Sequence, residues 1–366
     1  MKRIISFLLA ACIALPLFSQ GRGKINIPDL EGYVTLKCDL HIHTVFSDGS
    51  VWPTIRIDEA YRDGLDAIAI TDHIEYRPKN DDIVSSHNRS YEVAQPAAKS
   101  RGVILVRGSE ITRSMPPGHS NAIFLANADE LDTPDYMDAY RAAKAQNAFI
   151  FWNHPGWLAQ QPDTTVWWPE HTRLLEQGMM HGIEVVNGGD YYPEAHRWCL
   201  EKKLTMLGNT DIHAPMQPFA PGKHRIMTLV FAKERTAEAI REALNERRTA
   251  VYNKEYIIGE EKYLKEIFGN ALEWKVEKTD KKEELRITVR NNSDLTFRLK
   301  KTQHDPRVIY FRNTSVEPYT IAPNSTQIFT VRLLEGLKSG DVNFCVENFL
   351  VQPDKGMNYT KTVAIP

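Results

Sequence analysis

The chain has 366 residues, of which 42% are hydrophobic and 25% are charged. This composition excludes an intrinsically disordered tail, a collagen-like repeat and a disulfide-stapled miniprotein. The 45 lysine and arginine residues nearly balance the 47 aspartate and glutamate residues, which gives a formal net charge of −2. There is no basic excess of the kind that marks nucleic-acid binding. The length predicts two domains, or one large domain with an appendage.

The N-terminus has the pattern of an export signal. A short basic region, Met1 to Arg3, precedes an apolar run over residues 4–18, which is too short to span a bilayer. We therefore expect a signal peptide over residues 1–19 and an exported protein, periplasmic or secreted. Two processing routes stay open. One is ordinary cleavage near Ser19, and the other is lipidation of Cys12, which follows a lipobox-like Leu-Ala-Ala and would attach the protein to a membrane.

The remaining cysteines do not indicate a metal knuckle or a disulfide framework. Cys38, Cys199 and Cys345 are an odd, widely spaced set, and no two of them form a CxxC pair. We therefore expect the chemistry to depend on other residues.

Short β-branched runs alternate with helix signals from Tyr33 to about Phe231. The predicted strands are Val34–Leu40, Ala67–Thr71, Val103–Val106, Ala122–Leu125, Ala148–Phe151, Ile183–Val186, Leu204–Leu207 and Met227–Phe231. The predicted helices are Thr54–Asp63, Asp135–Gln146, Pro193–Lys203 and Ala237–Arg247. Such alternation predicts βαβ units and a parallel sheet, either open or closed into a barrel.

The composition changes near Asn270. A connecting helix is predicted just before this point, and short alternating strands separated by turn signals follow it. We therefore predict a barrel domain over 24–258, a connecting helix over 259–269 and a small Ig-like β-sandwich over 270–366. The sandwich is expected to be dispensable for chemistry, because no ligand-like residue after His213 lies at a strand end.

Histidines and acids cluster at the ends of the predicted strands. His41 and His43 stand two residues apart and so point to one face of a strand, as do Asp211 and His213. The full set of candidate ligands is His41, His43, Asp48, His73, Glu110, His119, His154, Asp211 and His213. A lone histidine at a strand end is more often a hydrogen-bonding loop residue, but the number and phase of these residues favour a metal site.

These ligand types indicate which metals to expect. Nitrogen and oxygen ligands without thiolate suit Zn²⁺, Mn²⁺ or Fe, and nine of them are enough for more than one ion. A carboxylate such as Glu110 can bridge two ions. Asp72 stands beside His73, where it either orients a ligand or has a purely structural role.

The order of these motifs resembles the PHP family, named for polymerase and histidinol phosphatase. The segment Asp39–Thr44 followed by Ser47-Asp48-Gly49 resembles the first family motif, and Thr71-Asp72-His73 resembles the second. The later motifs are similar to Gly108-Ser109-Glu110 with His119, to Asn153-His154-Pro155 and to Asp211-Ile212-His213. The resemblance spans roughly residues 35 to 232. It implies a distorted (β/α)7 barrel, two to three divalent metal ions and phosphoesterase activity.

The resemblance also implies a ligand set for each ion, with Glu110, Asp211 and His213 at the catalytic centre. The first ion would take His41, His43, Glu110 and Asp211, and the second would share Glu110 and take His119 and His154. The third would take Asp48, His73 and His213. Asp48 stands where some relatives have histidine. Glu184, in a further family-like segment, points either into the mouth of the barrel or into a structural hydrogen bond.

The substrate is expected to be a small phosphorylated compound: a phosphomonoester, a nucleotide or a phosphodiester, attacked by a hydroxide that bridges two metals. Phosphate usually needs a cation beyond the metals, and Lys223, His224 and Arg225 follow the last motif on the expected active face. The loop Tyr76–Ser90 and the tryptophan-rich segment Trp152–Trp168 are candidate walls of the pocket, and Trp157, Trp167 and Trp168 are candidates for stacking on a base or a sugar. Two other functions stay open, an exported metal- or phosphate-binding protein and an amidohydrolase-like C–N or C–O hydrolase.

Overall fold

A computed structural model of the chain describes residues 21–302, 305, 307–309 and 318–366. The expected signal peptide and Cys12 lie outside these ranges. Within them, no helix combines the length and the apolar character needed to cross a membrane.

The N-terminal two thirds of the chain alternate strands with helices, as the hydrophobic pattern predicts. The strands are β1 (Val34–Ile42), β2 (Ala67–Ile70), β3 (Ile104–Ile111), β4 (Ser120–Ile123), β5 (Phe149–Trp152), β6 (Gly182–Asn187), β7 (Asp190–Tyr191) and β8 (Thr205–Asn209). The helices are α1 (Pro53–Arg62), α2 (Arg89–Arg101), α3 (Tyr136–Ala145), α4 (Pro169–Glu176) and α5 (Pro193–Lys202). Local chemistry sets several ends: Pro53 occupies the first turn of α1, and the Asp135 side chain accepts a hydrogen bond from the Met137 N–H at the start of α3.

All of these strands except the hairpin strand β7 form the wall of a distorted barrel. Strand β1 pairs in parallel with β2, and β2 with β3, while β5, β6 and β8 form a second parallel group. The residues after β8 close the wall against β1. There the Asp211 N–H donates to the His41 carbonyl at 2.9 Å, and the His43 N–H donates to the Ile212 carbonyl at 3.2 Å.

Strand β4 departs from the expected parallel arrangement. It pairs antiparallel with both β3 and β5. No helix separates it from β3, so the chain turns back directly and the sheet is mixed at this strand, where the βαβ pattern predicts a parallel one. As a result His119, which precedes β4, lies at the same end of the barrel as residues that follow the parallel strands.

Three further strands extend the sheet outward from β1. They are β9 (Met227–Ala232), β10 (Thr249–Asn253) and β11 (Tyr256–Gly259), and each pairs antiparallel with its neighbour. Helix α6 (Ala237–Asn245) begins at Thr236, whose hydroxyl accepts a hydrogen bond from the Ala239 N–H. Helix α7 (Glu261–Ala271) extends two residues beyond the predicted connecting helix and leads directly into the next strand.

The C-terminal strands form a β-sandwich, so the predicted α/β barrel followed by a sandwich is confirmed. The strands are β12 (Leu272–Lys278), β13 (Glu284–Asn291), β14 (Phe297–Lys301), β15 (Val308–Ile309), β16 (Tyr319–Ile321), β17 (Thr326–Leu333), β18 (Ser339–Gln352) and β19 (Lys355–Ala364). One sheet has the order β12-β13-β17-β15, and the other contains β16, β14, β18 and β19. Alternating buried and exposed residues along β13 and β18 place one face of each sheet in the core.

The barrel and the sandwich share one continuous sheet. Strand β18 of the sandwich pairs in parallel with β11, with Ile257 opposite Phe349 and Ile258 opposite Leu350. At this junction the fully buried Phe349 ring lies 5.4 Å from the Phe297 ring and 6.3 Å from the Phe268 ring of α7, measured between centroids. The sandwich is therefore part of the core that supports the barrel, although it carries none of the candidate ligands.

This shared core generates a prediction about stability. Phe349→Ala should lower the free energy of unfolding by about 3–5 kcal/mol, because it removes a buried ring and leaves a cavity at the junction. Ile328→Ala on the outer face of the sandwich is the matched control, because Ile328 is 54% exposed. Chemical denaturation of the full chain measures both. A Phe349→Ala chain as stable as the control would show that the junction contributes little.

Candidate metal centre

The barrel brings all nine candidate ligands to one end. His41 and His43 lie at the end of β1, Glu110 lies near the end of β3, and the remaining ligands lie in the loops at this end of the barrel. Two of the loop residues, His154 and Asp211, have positive φ angles of 29° and 53°. Residues other than glycine rarely adopt this region, and such strain is common at functional sites.

The first group consists of His41, His43 and Asp211. The Nε2 atoms of the two histidines lie 3.0 Å apart, and the Oδ1 atom of Asp211 lies 3.1 Å from the first and 3.0 Å from the second. Two imidazole nitrogens and a carboxylate oxygen therefore face one point, which is the arrangement of ligands around a cation.

Glu110 lies between this group and a second one. Its Oε2 atom lies 3.3 Å from His41 Nε2 and 3.2 Å from His43 Nε2. Its Oε1 atom faces the other way, 2.8 Å from His119 Nδ1 and 3.7 Å from His154 Nε2. The two oxygens of one buried carboxylate thus serve two sets of imidazoles, which is the placement that a bridging ligand requires.

The third group surrounds Asp48 and is more open to solvent. The Oδ1 atom of Asp48 lies 3.1 Å from His213 Nε2, 3.4 Å from His73 Nε2 and 3.8 Å from His43 Nδ1. The His213 side chain is 38% exposed, whereas those of His41 and His43 are fully buried. His43 therefore faces both the first and the third group, a double position that the assignment from sequence did not include.

The histidines and the carboxylates of the site stabilise each other's charged forms. Burial by itself would lower the pKa of His41, but Asp211, Glu184 and Glu110 raise it well above its usual value. The same balance between burial and the carboxylates raises the pKa of His43 to about 9. In return, the imidazoles hold the pKa values of Glu110 and Asp211 below their usual range despite burial. Protonated imidazoles thus neutralise the carboxylates where a cation could do so.

Unpaired polar atoms test whether these residues fit metal ions. Glu110 Oε1, His119 Nδ1 and Asp211 Oδ1 are buried and have no hydrogen-bond partner within the described residues. Glu110 Oε1 and His119 Nδ1 lie 2.8 Å apart without forming a hydrogen bond. Buried polar atoms normally have a partner. These unpaired nitrogen and oxygen atoms lie close together, as the ligands of a divalent ion do. The residues therefore fit ions that prefer nitrogen and oxygen ligands.

Glu184 orients the ligands and does not reach the cavity. Its carboxylate is fully buried and accepts hydrogen bonds from His41 Nδ1 at 2.9 Å and from the His154 N–H at 2.8 Å. It also accepts from the side-chain amides of Asn187 and Asn209. Of the two positions left open for Glu184, the structure therefore shows the structural hydrogen bond and not the one at the mouth of the barrel. Because Glu184 holds Nδ1 of His41, the Nε2 atom of the same ring faces His43 and Asp211 in the first group.

Asp72 orders the loop that carries Asp48. It accepts hydrogen bonds from the N–H and hydroxyl of Thr44, both at 2.7 Å, and from the Ser47 hydroxyl at 2.8 Å. Of the two roles left open for Asp72, the structure therefore favours support of this loop over contact with His73.

The basic segment after the last motif does not contribute to the cavity. Arg225 is buried and donates to Asp39 Oδ2 at 2.5 Å, because a buried guanidinium needs a carboxylate partner. His224 stacks on Tyr252 and hydrogen-bonds to main-chain carbonyls. Lys223 is exposed and does not line the cavity. The structure therefore does not bring Lys223, His224 and Arg225, the expected phosphate contacts, to the lining of the cavity.

A cavity of about 540 Å³ opens above the metal groups. Besides ligands, it is lined by Tyr76, Thr112, Trp157, Asn187, Asp190 and Tyr192, among others. Tyr76 and Trp157 belong to the loop and the segment that were expected to wall the pocket. Trp167 instead packs against Trp152 and Trp198, and Trp168 hydrogen-bonds to Gln161. The lining residues of the β6–β7 hairpin were not among the sequence-based candidates, although the turn sequence Asn187-Gly188-Gly189-Asp190 after a predicted strand was a signal.

Comparisons with known proteins agree with this architecture. Residues 272–362 match the family model of an Ig-like domain. Among solved structures, a two-domain protein from Bacteroides vulgatus, described as containing a predicted PHP-like metal-dependent phosphoesterase, is 53% identical with a TM-score of 0.90. The alignment covers 94% of this chain and 100% of that protein. The search of curated proteins gives no match.

Two other solved structures are more distant. A protein from Bifidobacterium adolescentis, described as a metal-dependent phosphoesterase, is 18% identical with a TM-score of 0.41, and the alignment covers 57% of this chain and 95% of that one. An amidohydrolase from Chromobacterium violaceum with bound sulfate and no metal is also 18% identical, with a TM-score of 0.37 and coverage of 50% and 92%. Similarity at this level carries no argument about function.

The relationship to the Bacteroides vulgatus protein extends over both domains, and the PHP motifs noted in the sequence meet at one end of the barrel. This chain is therefore a hydrolase that belongs to the PHP-like metal-dependent phosphoesterases, with an Ig-like domain after the barrel.

Proposed function

We propose that this protein is an exported hydrolase of a small phosphorylated compound and that it works with two to three divalent ions, Zn²⁺, Mn²⁺ or Fe. The observation that carries the proposal is Glu110, whose two buried oxygens face two different groups of imidazoles. Export is supported by the signal-like N-terminal pattern alone.

Each of the three residue groups has a separate role in this proposal. His41, His43 and Asp211 would hold the first ion, Glu110 with His119 and His154 the second, and Asp48, His73 and His213 the third. When bound, such ions lower the pKa of a water molecule and neutralise charge on the phosphoryl oxygens.

Asp211 also has a second carboxylate oxygen beside the cavity. Its Oδ1 atom belongs to the first group, while Oδ2 lies 3.9 Å from His154 Nε2 and accepts a hydrogen bond from Asn187 Nδ2 at 3.4 Å. Since Asp211 lines the cavity and the neighbouring imidazoles favour its ionised form, Oδ2 could orient the attacking water by accepting a hydrogen bond from it. His213 is the most exposed of the ligands named for the three ions, and Asp48 orients it at the mouth of the cavity.

The full-length mature protein tests the proposal directly. We expect two or three divalent ions per chain and release of phosphate or alcohol from phosphoester substrates, with activity lost on chelation and restored by Mn²⁺ or Zn²⁺. His41→Ala should lower the metal content, whereas the control His87→Ala, outside the three groups, should not. Elemental analysis and substrate screening measure these effects. Metal-loaded protein that cleaves no phosphoester, or that cleaves only C–N bonds, would contradict the proposal.

The position of Glu110 predicts that its substitution lowers activity more than substitution of Asp48 does. Glu110→Gln replaces one oxygen by a poorly coordinating amide and affects two groups at once. It should lower kcat/KM by about a thousandfold or more, which is about 4 kcal/mol of transition-state stabilisation. Asp48→Asn affects only the open third group, so we expect a loss of about tenfold that excess Mn²⁺ or Zn²⁺ partly restores. Steady-state kinetics across a metal titration distinguish the two, and equal losses would refute the assignment.

The raised histidine pKa values predict that metal affinity depends on pH. A metal can bind an imidazole nitrogen only after its proton has left, and the pKa of His43 lies at about 9 in the cluster without ions. Protons therefore compete more strongly as the pH falls. The apparent affinity for Zn²⁺ should weaken about tenfold or more per pH unit from roughly pH 8 to pH 6. Competition with a chromophoric chelator measures this slope, and an affinity that stays constant over the window would argue against these imidazoles as ligands.

A further inference from the structure

Two exposed aromatic rings lie beside different parts of the metal centre. Tyr76 is 53% exposed, and its ring centroid lies 5.8 Å from that of His73, in the open group around Asp48. Trp157 is 45% exposed, and its ring lies 5.7 Å from His119 and 5.3 Å from His154, on the other side of Glu110. Both rings line the cavity. A substrate with phosphorus above the metal groups would therefore have an aromatic surface available in two directions.

The cavity also has no permanently charged basic side chain among the described residues that line it. None of the described residues that line it is a lysine or an arginine. The basic residues nearby are directed elsewhere: Arg77 and Lys79 donate to main-chain carbonyls of loop residues, and Arg113 pairs with Glu75 at 2.6 Å. The exposed carboxylate of Asp190 adds negative charge to the lining.

This charge balance distinguishes between classes of phosphoester. A phosphomonoester carries close to two negative charges at neutral pH, and proteins usually meet them with arginine or lysine in addition to metals. A phosphodiester carries a single charge and has an organic group on each side of phosphorus. The metal groups can neutralise a single charge without help from side-chain cations, and aromatic rings can stack on planar organic groups.

From these two observations we propose that the substrate is a phosphodiester with a planar ring in at least one of its two organic groups, held against Trp157 or Tyr76. This inference rests on the proposed phosphoesterase function. In the reaction, the oxygen of water forms a new bond to phosphorus, and the bond from phosphorus to one alcohol oxygen breaks. The leaving oxygen takes up one proton, and the products are an alcohol and a phosphomonoester. The monoester product carries more charge than the cavity favours and is released.

Chromogenic esters test the charge preference. The full-length protein, loaded with Mn²⁺, is assayed with bis(p-nitrophenyl) phosphate and with p-nitrophenyl phosphate. We expect kcat/KM to be about tenfold or more higher for the diester. Equal values, or a preference for the monoester, would overturn this inference while leaving the proposed phosphoesterase function intact. If metal-loaded protein cleaves neither these esters nor any other phosphoester, the proposed function itself fails.

A second comparison tests the stacking. Bis(p-nitrophenyl) phosphate and methyl p-nitrophenyl phosphate release the same leaving group, but only the first carries a second ring. We expect the wild type to have a higher kcat/KM for the first ester than for the second. The variants Trp157→Ala and Tyr76→Ala and the double variant should reduce this ratio about fivefold, mainly by raising KM for the first ester. Phe219→Ala removes an aromatic ring that is 39% exposed and does not line the cavity, so it should leave the preference unchanged. A preference that survives in the double variant would refute the role of these rings.

Discussion

The buried carboxylate of Glu110 is the interaction on which the rest of the site depends. It is fully buried within a ring of imidazoles, and burying an unpaired carboxylate in a protein interior is strongly unfavourable. The position is stable only because positive charge surrounds it, carried by protonated histidines or by metal ions. The barrel provides this environment by placing β3 between β2 and β4, so that ligands from both sides reach the two oxygens of one side chain.

Three further buried carboxylates hold the ligands in place without facing the cavity. Glu184 fixes the ring of His41, and Asp72 orders the loop that ends at Asp48. Asp39, paired with Arg225, accepts hydrogen bonds from Thr210, next to Asp211. Most of the ligands lie on loops, which are mobile unless they are held. The carboxylates supply rigid hydrogen bonds from the strands to these loops, which keeps the ligand atoms within the short distances that a metal site requires.

The sandwich extends this support to the outer side of the barrel. Strand β18 continues the barrel sheet through β11, and the turn that contains Asp354 lies in a crevice shared with Gly189 and Tyr191. Gly189 and Tyr191 belong to the β6–β7 hairpin, whose Asp190 lines the active cavity. Across this crevice the Ig-like domain therefore faces an element that shapes the cavity, while contributing none of the candidate ligands.

The sequence by itself determined the class of fold and the candidate ligands. Alternating strand and helix patterns predicted the barrel, and the shift near Asn270 predicted the sandwich, because hydrophobic period and turn residues are local properties. For the same reason the sequence was enough to pair His41 with His43, because residues two apart on a strand share a face whatever surrounds them. The order of the motifs was enough to indicate the family.

Only the tertiary structure decided which residues meet. Arg225 and Glu184 are charged and lie near the motifs, but their partners, Asp39 and His41, are more than 140 positions away in the chain. Because both side chains are buried and paired with these distant residues, they support the site from within the protein and do not line the cavity. The sheet shared through β11 and β18 likewise depends on long-range pairing, and the reversed direction of β4 depends on its pairing with both β3 and β5. Hydrogen bonds between distant strands leave little trace in a local pattern, because the same residues would form a strand in either direction.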